Sequence, residues 1–466
     1  MAEQTVYSIP QHVRDYIDKA GYALPCGQME NHISRWHGWM RSEGDFYDYD
    51  EVDSNGRRFK VHRLSIKPAK RVAAEWGSLL LTDNTLTSCD DQACTEWLGG
   101  YFKRVRFYSL GQGLVQKGFA LGTAAWALWI DTDKGKMIPR RYDARMIVPL
   151  SWDDDGVSEC AFCTRAAIRG KLLDQLQMHV LDGDGYHIKT VFFDLDGVPV
   201  EVEGVVDDLP TKCDTPTFAI VKPDIENTVV DLSPYGMSVF EDAIDAVKSV
   251  DLAYDAIFNE IDLGKMRIFL GDSMFENAED RKGERQAVPF GKSDAVVFRK
   301  VQSVDDVIKE FAPLLRTESQ VQAYRTALQT LGDLTGFGLS YFDIDESGGI
   351  KTATEVSSDN SALMRNIKKH ENLLEGSIAQ ISHAALHCAR EFLGESLPDE
   401  GEIAVNFDDS IISDTAAEKA QDMAEVGTTM NAWEYRMKWY GEDEETARRN
   451  AAEVGRAAYE MPGIAD

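Results

Sequence analysis

The segment from Asp343 to Val356, DIDESGGIKTATEV, places glycine, lysine and threonine together in an order typical of phosphate-binding loops. A P-loop needs a glycine directly before its lysine and another glycine five residues earlier, because consecutive backbone N–H groups must surround the phosphates. Here Ile350 precedes Lys351, and no apolar strand leads into the segment. The spacing therefore argues against nucleotide binding.

The same segment also begins like a calcium-binding loop. Oxygen-bearing residues and a glycine stand at positions one, three, five and six of such a loop, namely Asp343, Asp345, Ser347 and Gly348. Position twelve, which should be a bidentate glutamate, is Thr354, and Glu355 falls one residue late. We therefore favour an acidic loop, with a weak cation site as the alternative.

Other patterns lack the partners that their chemistry requires. Cys160 and Cys163 form a Cys-x-x-Cys pair, but no second pair completes four zinc ligands, so both are expected to be buried thiols facing opposite sides of a strand. The stretch GQGLVQKG, Gly111 to Gly118, lacks the third glycine of a dinucleotide fingerprint and is predicted to be a turn. No HExxH or GxSxG motif is present. We expect no catalytic residue, no cofactor and no resident metal.

The residue pattern from Met1 to about Asp231 predicts an α+β region. Helical periodicity predicts helices at Gln11–Ala20, Met29–Arg41 and Ser65–Leu80. Alternating or apolar runs predict strands at Leu121–Ile130, Arg145–Leu150, Leu176–Leu181, His187–Phe193 and Val198–Val202. The sequences DGDG (Asp182–Gly185) and DLDG (Asp194–Gly197) are typical of hairpin turns.

Beyond Pro234, long helical patterns replace the strands. Alternating spacings of four and three residues predict a helix that packs lengthwise on others through Ala243, Val247, Val250, Tyr254, Ile257 and Ile261. The rest of its surface is acidic, with Glu241, Asp242, Asp245, Asp251, Asp255, Glu260 and Asp262. A polar segment follows from Gly271, with one strand at Ala295–Val301. A second helix is predicted from Thr317, where Gln320 completes a capping box.

The strongest helical pattern runs from Ser358 to Leu393, roughly 50 Å at ~1.5 Å per residue. Its apolar stripe comprises Leu363, Ile367, His370, Leu374, Ile378, Ile381, Ala385, Cys388 and Phe392. We expect that one subunit cannot bury this whole stripe, and that His370 is a core or interface residue. A strand at Ile403–Phe407 follows, and then short helices at Thr415–Val426, Ala432–Tyr440 and Glu444–Val454.

Composition limits the possible functions. A formal net charge of -30 argues against a protein that reads DNA sequence, because such proteins neutralise phosphates with a basic surface. Cysteines at irregular spacing form no disulfide framework and favour a reducing compartment. No apolar run reaches the roughly 18 residues that a membrane span needs.

Four stretches carry a family resemblance: VKPDIENTVVDLSPYGMSVFEDAIDAVKSVDLAYD (Val221–Asp255), IKEFAPLLRTESQVQAYRTALQTLGDLTGFG (Ile308–Gly338), GGIKTATEVSSDNSALMRNIKKHENLLE (Gly348–Glu375) and VNFDDSIISDTAAEKAQDMAEVGTTMNAWEYRM (Val405–Met437). KTATEV is the most distinctive piece, and HRLSIKPAKRVAAEWGSLLL, beginning at His62, is a weaker match. Together with the order of elements, they resemble the portal proteins of tailed bacteriophages, in particular those of siphophages of Gram-positive bacteria.

The resemblance implies a portal fold, the head-to-tail connector in which a ring of twelve subunits occupies one capsid vertex and passes DNA. It implies an α+β subunit with a strand-rich wing, a long helical stem and spine, a small clip and a helical crown. The implied parts are the wing at residues 1–234, stem helices at 235–270 and 317–342, the clip at 271–316, a tunnel loop at 343–356, the spine at 357–398, a strand returning to the wing at 399–412 and the crown at 413–466.

The resemblance also implies roles for individual residues. In the tunnel loop, those beside the DNA would be Asp345, Glu346, Ser347, Gly348, Gly349, Ile350, Lys351 and Thr352. The acids of the stem would line the channel with Glu241, Asp245, Asp255 and Asp262 and prevent DNA from adhering. The basic residues of the clip would dock the motor through Arg281, Lys282, Arg285 and Lys292.

The implied partners are further copies of the chain, the terminase large subunit, a head-completion or tail adaptor protein, and the major capsid or scaffolding protein. Double-stranded DNA would pass without sequence recognition and without a membrane. The subunit is expected in the virion after assembly in the host cytoplasm, and it is not expected to be an enzyme. The alternative is a metal-dependent hydrolase or nucleic-acid-processing enzyme, with Mg²⁺ bound by Asp194, Asp196 or Asp343 with Asp345.

Overall fold

The computed structural model describes residues 7–24, 27–52, 56–264, 267–271, 277–279, 285–287, 298–301, 308–311, 313–342, 353–407, 419 and 422–459. Helices and strands are mixed along these ranges, and the α+β prediction is confirmed. None of the helices in the described ranges is both long enough and apolar enough to cross a lipid bilayer.

The helices of the amino-terminal half are α1 (Gln11–Lys19), α2 (Gln28–Arg41), α3 (Pro68–Leu80), α4 (Gln92–Val105) and α5 (Phe107–Leu121). The first three agree with the predicted helices, and α3 begins at a proline whose fixed φ suits the first helical position. The predicted turn at Gly111–Gly118 is wrong, because this stretch lies inside α5.

Close packing explains why α5 contains these glycines. A Cβ atom at Gly111 would lie 2.5 Å from Cδ2 of Leu81, and one at Gly77 in α3 would lie 2.8 Å from the backbone oxygen of Gln112. Helices α3 and α5 therefore approach each other at a distance that side chains would prevent. In this protein, the glycines at Gly111–Gly118 indicate close helix packing and not a turn.

Two antiparallel sheets lie beside these helices. The larger has the order β10-β9-β8-β7-β6, with β11 also paired to β9. Its strands are β6 (Ile147–Asp153), β7 (Gly156–Ile168), β8 (Lys171–Asp182), β9 (Gly185–Phe193), β10 (Pro199–Val200) and β11 (Asp208–Cys213). The smaller has the order β12-β4-β5, with β4 (Ala124–Asp131), β5 (Lys136–Asp143) and β12 (Phe218–Val221). The hairpin turns predicted at DGDG and DLDG are confirmed, since they connect β8 to β9 and β9 to β10.

Side chains that alternate along the strands join the layers. Helix α1 covers one face of the larger sheet, where Ile17 packs in one cluster with Leu176. The opposite face packs on the smaller sheet through Phe162 and Tyr142. Trp126 of β4 points away from that interface, into the main core that includes α5. The amino-terminal half is therefore a layered structure of helix, sheet, sheet and helix.

Two small sheets complete this half. Strand β1 (Asp48–Val52) pairs with β2 (Arg58–His62), and β3 (Leu86–Cys89) pairs with β18 (Ile403–Asn406). The second pair confirms that the strand predicted at Ile403–Phe407 returns to the amino-terminal half. Distant parts of the sequence thus share one sheet.

The later helices are α6 (Ile244–Leu263), α7 (Thr317–Leu334), α8 (Ala353–Phe392), α9 (Ala432–Tyr440) and α10 (Glu444–Tyr459). The strands between α6 and α7 are β13 (Arg267–Gly271), β14 (Asn277–Glu279), β15 (Arg285–Ala287), β16 (Phe298–Val301) and β17 (Ile308–Phe311). The last two predicted tail helices match α9 and α10. The helix predicted at Thr415–Val426 lies largely outside the described residues.

Three boundaries differ from prediction. Helix α6 begins at Ile244, since Tyr235 and Phe240 are buried in the main core, and it ends before strand β13. The capping box predicted at Thr317 does not form, because the N-cap residue is Arg316 and no side chain caps the helix. Helix α8 begins at Ala353, before the predicted start at Ser358.

One hydrophobic core joins both halves of the chain. The apolar stripe of α8 lies inside it, and Ile367 and Ile378 are each 0% exposed. Helices α3 and α4 and strands β4, β12 and β18 contact α8. The expectation that one subunit cannot bury this stripe is therefore wrong.

Candidate functional site

Helices α6 and α7 form an antiparallel hairpin whose far end is closed by an ion pair. Arg316, just before α7, donates from Nη2 to Oε2 of Glu260 at 2.7 Å and from Nε to Oε1 at 3.1 Å. This guanidinium holds the pKa of Glu260 below its ordinary value. Strands β13 and β17, which begin and end the intervening segment, pair with each other. The chain therefore leaves the hairpin and returns to it at one place.

Burial changes along this hairpin. The part beside the amino-terminal half is packed in the main core through Val247, Val250, Leu328 and Leu331. Apolar side chains on the rest of the hairpin are exposed, namely Leu252, Phe258, Ile261, Leu314, Leu315 and Val321. The hairpin therefore extends beyond the core and carries apolar surface.

Two acids of α6 attach the hairpin to the amino-terminal half. The carboxylate of Asp251 is 0% exposed and accepts hydrogen bonds from Tyr47 Oη at 2.8 Å, Ser65 Oγ at 2.7 Å and the Ile66 backbone nitrogen at 3.0 Å. Burial raises the pKa of Asp251, although these hydrogen bonds oppose the shift. Asp255 accepts from the backbone nitrogen of Leu64 at 3.0 Å. Asp251 and Asp255 therefore hold α6 against the amino-terminal half, although in the sequence they stand among acids expected on the surface.

The position of Asp251 contains a signal for this role. It stands four residues after Val247 and directly after Val250, both on the apolar stripe of α6. A carboxylate at that position faces the core and needs donors there, because an unpaired buried charge is costly. Sequence reasoning that groups all acids of a helix misses this distinction.

The other predicted stem acids differ in their surroundings. Glu241 precedes α6, where its carboxylate binds Arg35 and accepts from Trp36 Nε1 at 2.5 Å. Asp245 is exposed on the first turn of α6 and pairs with Lys248 at 2.8 Å. Asp262 is exposed on the last turn. The structure thus leaves Asp245 and Asp262 on the surface and engages Glu241 and Asp255 in contacts with the amino-terminal half.

The remaining predicted site residues fall largely outside the described ranges. This applies to the tunnel-loop residues Asp345, Glu346, Ser347, Gly348, Gly349, Ile350, Lys351 and Thr352, and to Arg281, Lys282 and Lys292 of the clip. Arg285 lies in β15, opposite Glu279. Residues 353–356, predicted to end the loop, belong to α8 instead.

Helix α8 is fixed to the sheets by polar side chains as well as by its stripe. Ser377 Oγ donates to the backbone oxygen of Ile220 at 2.7 Å, and Gln380 Nε2 donates to that of Phe218 at 2.7 Å. Both acceptors are on β12, an outer strand of the smaller sheet. Because these side chains bind the backbone of an edge strand, they fix the position of α8 along the sheet.

His370 is the core residue that its place on the stripe predicts. Its Nδ1 accepts from the backbone nitrogen of Asp224 at 3.1 Å, and its ring centroid lies 4.8 Å from that of Trp76 and 4.9 Å from that of Phe119. Burial lowers the pKa of His370 to about 4, so the imidazole is neutral at pH 7.

The residues considered for an enzymatic site are not brought together. Asp194 Oδ1 accepts from the backbone nitrogens of Asp196 and Val198, which makes it a turn residue. Asp343 and Asp345 lie outside the described ranges. Cys160 and Cys163 are buried in different clusters on opposite faces of β7, as predicted. In the part of the chain that the structure describes, no three His, Cys, Asp or Glu residues form a group able to hold a metal ion.

Comparison with known proteins gives a family match over most of the chain. The sequence model described as phage portal protein, SPP1 Gp6-like, matches residues 27–457. No curated protein matches the chain. Among solved structures, a chain of the virion of a native gene transfer agent particle is 11% identical, with a TM-score of 0.39 and coverage of 92% of this chain and 98% of that chain. A chain from the neck of an empty particle of this kind, computed with C6 symmetry, is 12% identical, with a TM-score of 0.38 and coverage of 80% and 88%.

Proposed function

Because the chain belongs to the SPP1 Gp6-like family of phage portal proteins, which it matches over residues 27–457, we propose that twelve copies form a ring at one capsid vertex and that DNA passes through its centre. The family is a structural one, and the portal ring is a component of the virion. In this proposal the subunit acts through shape, charge and position in the ring, and the terminase partner hydrolyses ATP.

The observation that best supports a channel role is the projecting hairpin of α6 and α7. It leaves a shared core, has exposed apolar side chains beyond that core, and is followed at its far end by the segment that begins with β13 and ends with β17. We assign α6 and α7 to the stem and that segment to the clip. Helix α8 is the spine, the layered amino-terminal half with Tyr235 and Phe240 is the wing, and α9 and α10 belong to the crown.

Charge is the second part of the proposal. Each subunit has a formal net charge of -30, and acidic walls repel a duplex that carries about one negative charge per 1.7 Å of axis. Low adhesion allows DNA to slide. Asp245 and Asp262 are the stem acids best placed for this task, because they are exposed, whereas Glu241 and Asp255 are half-buried against the amino-terminal half.

The tunnel loop and the clip complete the proposed assignment. The loop at residues 343–352 would approach DNA, with Gly348 and Gly349 permitting a bend and Lys351 making a transient phosphate contact. The clip gathers basic residues in an acidic chain, namely Lys265, Arg267, Arg281, Lys282, Arg285, Lys292, Arg299 and Lys300. This charge would dock acidic surfaces of terminase or of a tail adaptor, and the wing would adjoin capsid or scaffolding protein during assembly in the host cytoplasm.

Mass photometry and negative-stain class averages of the purified protein test this function. We expect particles of about twelve subunits with a central hole. A mass of one subunit at every protein concentration, with no central hole in the class averages, would contradict the proposal. In a phage-like system that lacks its own portal, expression of this chain should restore DNA-filled particles.

A further inference from the structure

The ribbon formed by β1 and β2, residues 48–62, has almost no packing partner within the subunit. Side chains along both strands are exposed, and only Tyr49 and Val61 are half-buried. Val52 is 61% exposed and Phe59 is 46% exposed. Within the described residues the sheet consists of these two strands, so no third strand pairs with either edge. A two-stranded ribbon of this kind is marginally stable alone in water.

The base of the ribbon, in contrast, is firmly attached to the stem. Tyr47, directly before β1, is 0% exposed and donates to Asp251 of α6. After β2, the backbone nitrogen of Leu64 donates to Asp255. The backbone nitrogen of Arg63 donates to the oxygen of Tyr47 at 2.8 Å, which closes the base. The ribbon therefore starts at a fixed point on α6, with its strands left uncovered.

The two faces of the ribbon differ in chemistry. Cross-strand register places Asp48 opposite His62, Asp50 opposite Lys60 and Val52 opposite Arg58, so one face carries charges of both signs. The other face places Tyr49 opposite Val61 and Glu51 opposite Phe59; Tyr49 and Val61 are half-buried, and Phe59 is the exposed apolar side chain of this face. Phe59 thus extends a partly covered apolar strip to the surface of an anchored element, as the edge of a contact surface would.

We propose that this ribbon is an arm that packs its apolar face on the stem of the neighbouring copy, against Phe258 and Ile261 of that copy's α6. The proposal rests on the ring assigned above. Phe258, whose ring also packs against Tyr254, is 44% exposed, Ile261 is 45% exposed, and Phe59 is 46% exposed. In a head-to-tail contact between two copies, the apolar surface of the ribbon on one copy can be buried against the apolar surface of α6 on the next.

Geometry supports this pairing. Copies in a closed ring are related by rotation about one axis, so each element keeps its level along that axis. The base of the ribbon is hydrogen-bonded to Asp255 of α6. Phe258 and Ile261 lie roughly 5–10 Å further along the same helix at ~1.5 Å per residue. Strands of five residues extend about 17 Å at ~3.4 Å per residue. The neighbour's patch is thus near the level at which the arm begins.

Charge also selects a second copy as the partner. Residues 48–62 contain four carboxylates and three cations, a formal net charge of -1, whereas the whole chain carries -30. Two subunits of this charge repel each other, and contact through a nearly neutral element reduces that cost. A partner that binds through acidic residues would instead bind the clip, where basic residues are concentrated.

A deletion separates the arm from the fold. Replacing residues 49–61 by two glycines joins Asp48 to His62, which already face each other across the ribbon. We expect an unchanged melting temperature for the dissociated subunit and at least a ~10-fold rise in the concentration at which rings form by mass photometry. Rings that form at the wild-type concentration would overturn the proposal.

A double-mutant cycle tests the stated contact. Phe59→Ser and Phe258→Ser should each weaken ring formation, and the double variant should be no weaker than the worse single variant, because both remove one contact. Leu172→Ser, at an exposed site on β8 with 52% exposure, is the matched control and should form normal rings. Additive losses would place the arm on a different surface and overturn the pairing. A wild-type protein that never forms rings would instead refute the proposed function itself.

Discussion

At the scale of single residues, Asp251 shows how one carboxylate can define the attachment of a whole helix. Three donors from two separate segments converge on it, and it lies on the side of α6 that faces the core. Asp245, on the same helix, is exposed and pairs with a neighbouring lysine. Two acids in one helix therefore differ in their contribution to stability, since one is buried among donors and the other is exposed.

We expect Asp251→Ala to destabilise the subunit by about 2–4 kcal/mol, because it leaves buried donors without an acceptor. Asp245→Ala should change the free energy of unfolding by less than about 0.5 kcal/mol, because exposed ion pairs contribute little. Urea denaturation of both variants measures the difference. Equal effects would show that the buried hydrogen bonds do not determine the stability of the junction.

His370 predicts a pH dependence of stability. Burial lowers its pKa to about 4 in the folded chain, and an unfolded histidine has a pKa of about 6.5. The unfolded chain therefore binds the proton first, and the stability present above pH ~6.5 is lost as the pH falls towards about 4. From pH 7 to pH 5 this histidine should cost about 2 kcal/mol of stability.

The variant His370→Asn removes this titration but retains an acceptor for the backbone nitrogen of Asp224. Its free energy of unfolding should fall less between pH 7 and pH 5 than that of the wild type. Leu172→Ser, at an exposed site without a titratable group, is the control and should retain the wild-type pH dependence. A His370→Asn variant with the wild-type pH dependence would exclude this histidine as the source.

At the scale of elements, packing decides several features that periodicity alone does not. Helical periodicity predicts α1, α2, α3 and most of α6, α7 and α8, because their apolar stripes face a core and repeat regularly. It misses α5, whose glycines serve the approach to α3 and not a turn. The start of this helix at residue 235, which the portal resemblance implies, is too early, because Tyr235 and Phe240 are buried in the main core before α6. Tertiary contacts of this kind are not local properties of a sequence.

The approach of α3 to α5 can be tested with alanine. Gly77→Ala places a Cβ 2.8 Å from the backbone oxygen of Gln112, so the helices must separate, and we expect a loss of about 1–3 kcal/mol. Gly113→Ala on α5 meets no atom within 4 Å and should be neutral or stabilising by up to about 1 kcal/mol. Thermal unfolding of both variants decides the matter, and a neutral Gly77→Ala would mean that the two helices can move apart at little cost.

At the scale of the whole molecule, the order of elements carries more functional information than any motif. The long stem pattern, the inserted polar segment and the spine together indicate a portal, and the family match confirms this. Residue roles in the loop and clip remain predictions, since they depend on surfaces formed between copies. A single chain cannot encode in its local pattern which of its faces will meet DNA.

The proposed tunnel loop is best tested inside particles. Replacing Gly348 and Gly349 with valine should restrict the bend, because β-branched residues resist positive φ. Ring assembly should persist, since the α8 stripe is untouched, while DNA per particle falls. Lys351→Glu should cause a milder defect that depends on salt. Normal DNA content in the double valine variant would show that bending is unnecessary, and loss of rings would show that the segment is a structural joint.

The ion pair of Glu260 and Arg316 and the pairing of β13 with β17 also bear on how such a chain can change over generations. The chain leaves the end of α6 and returns to the start of α7 at the same place. We therefore expect the rest of the fold to tolerate changes in the length and sequence of the segment between them. In particular, we expect that the segment between β13 and β17 can be exchanged for another while the rest of the subunit still folds. On the proposed assignment of this segment to the clip, such an exchange would change which motor or tail adaptor the subunit binds and would leave its core as it is.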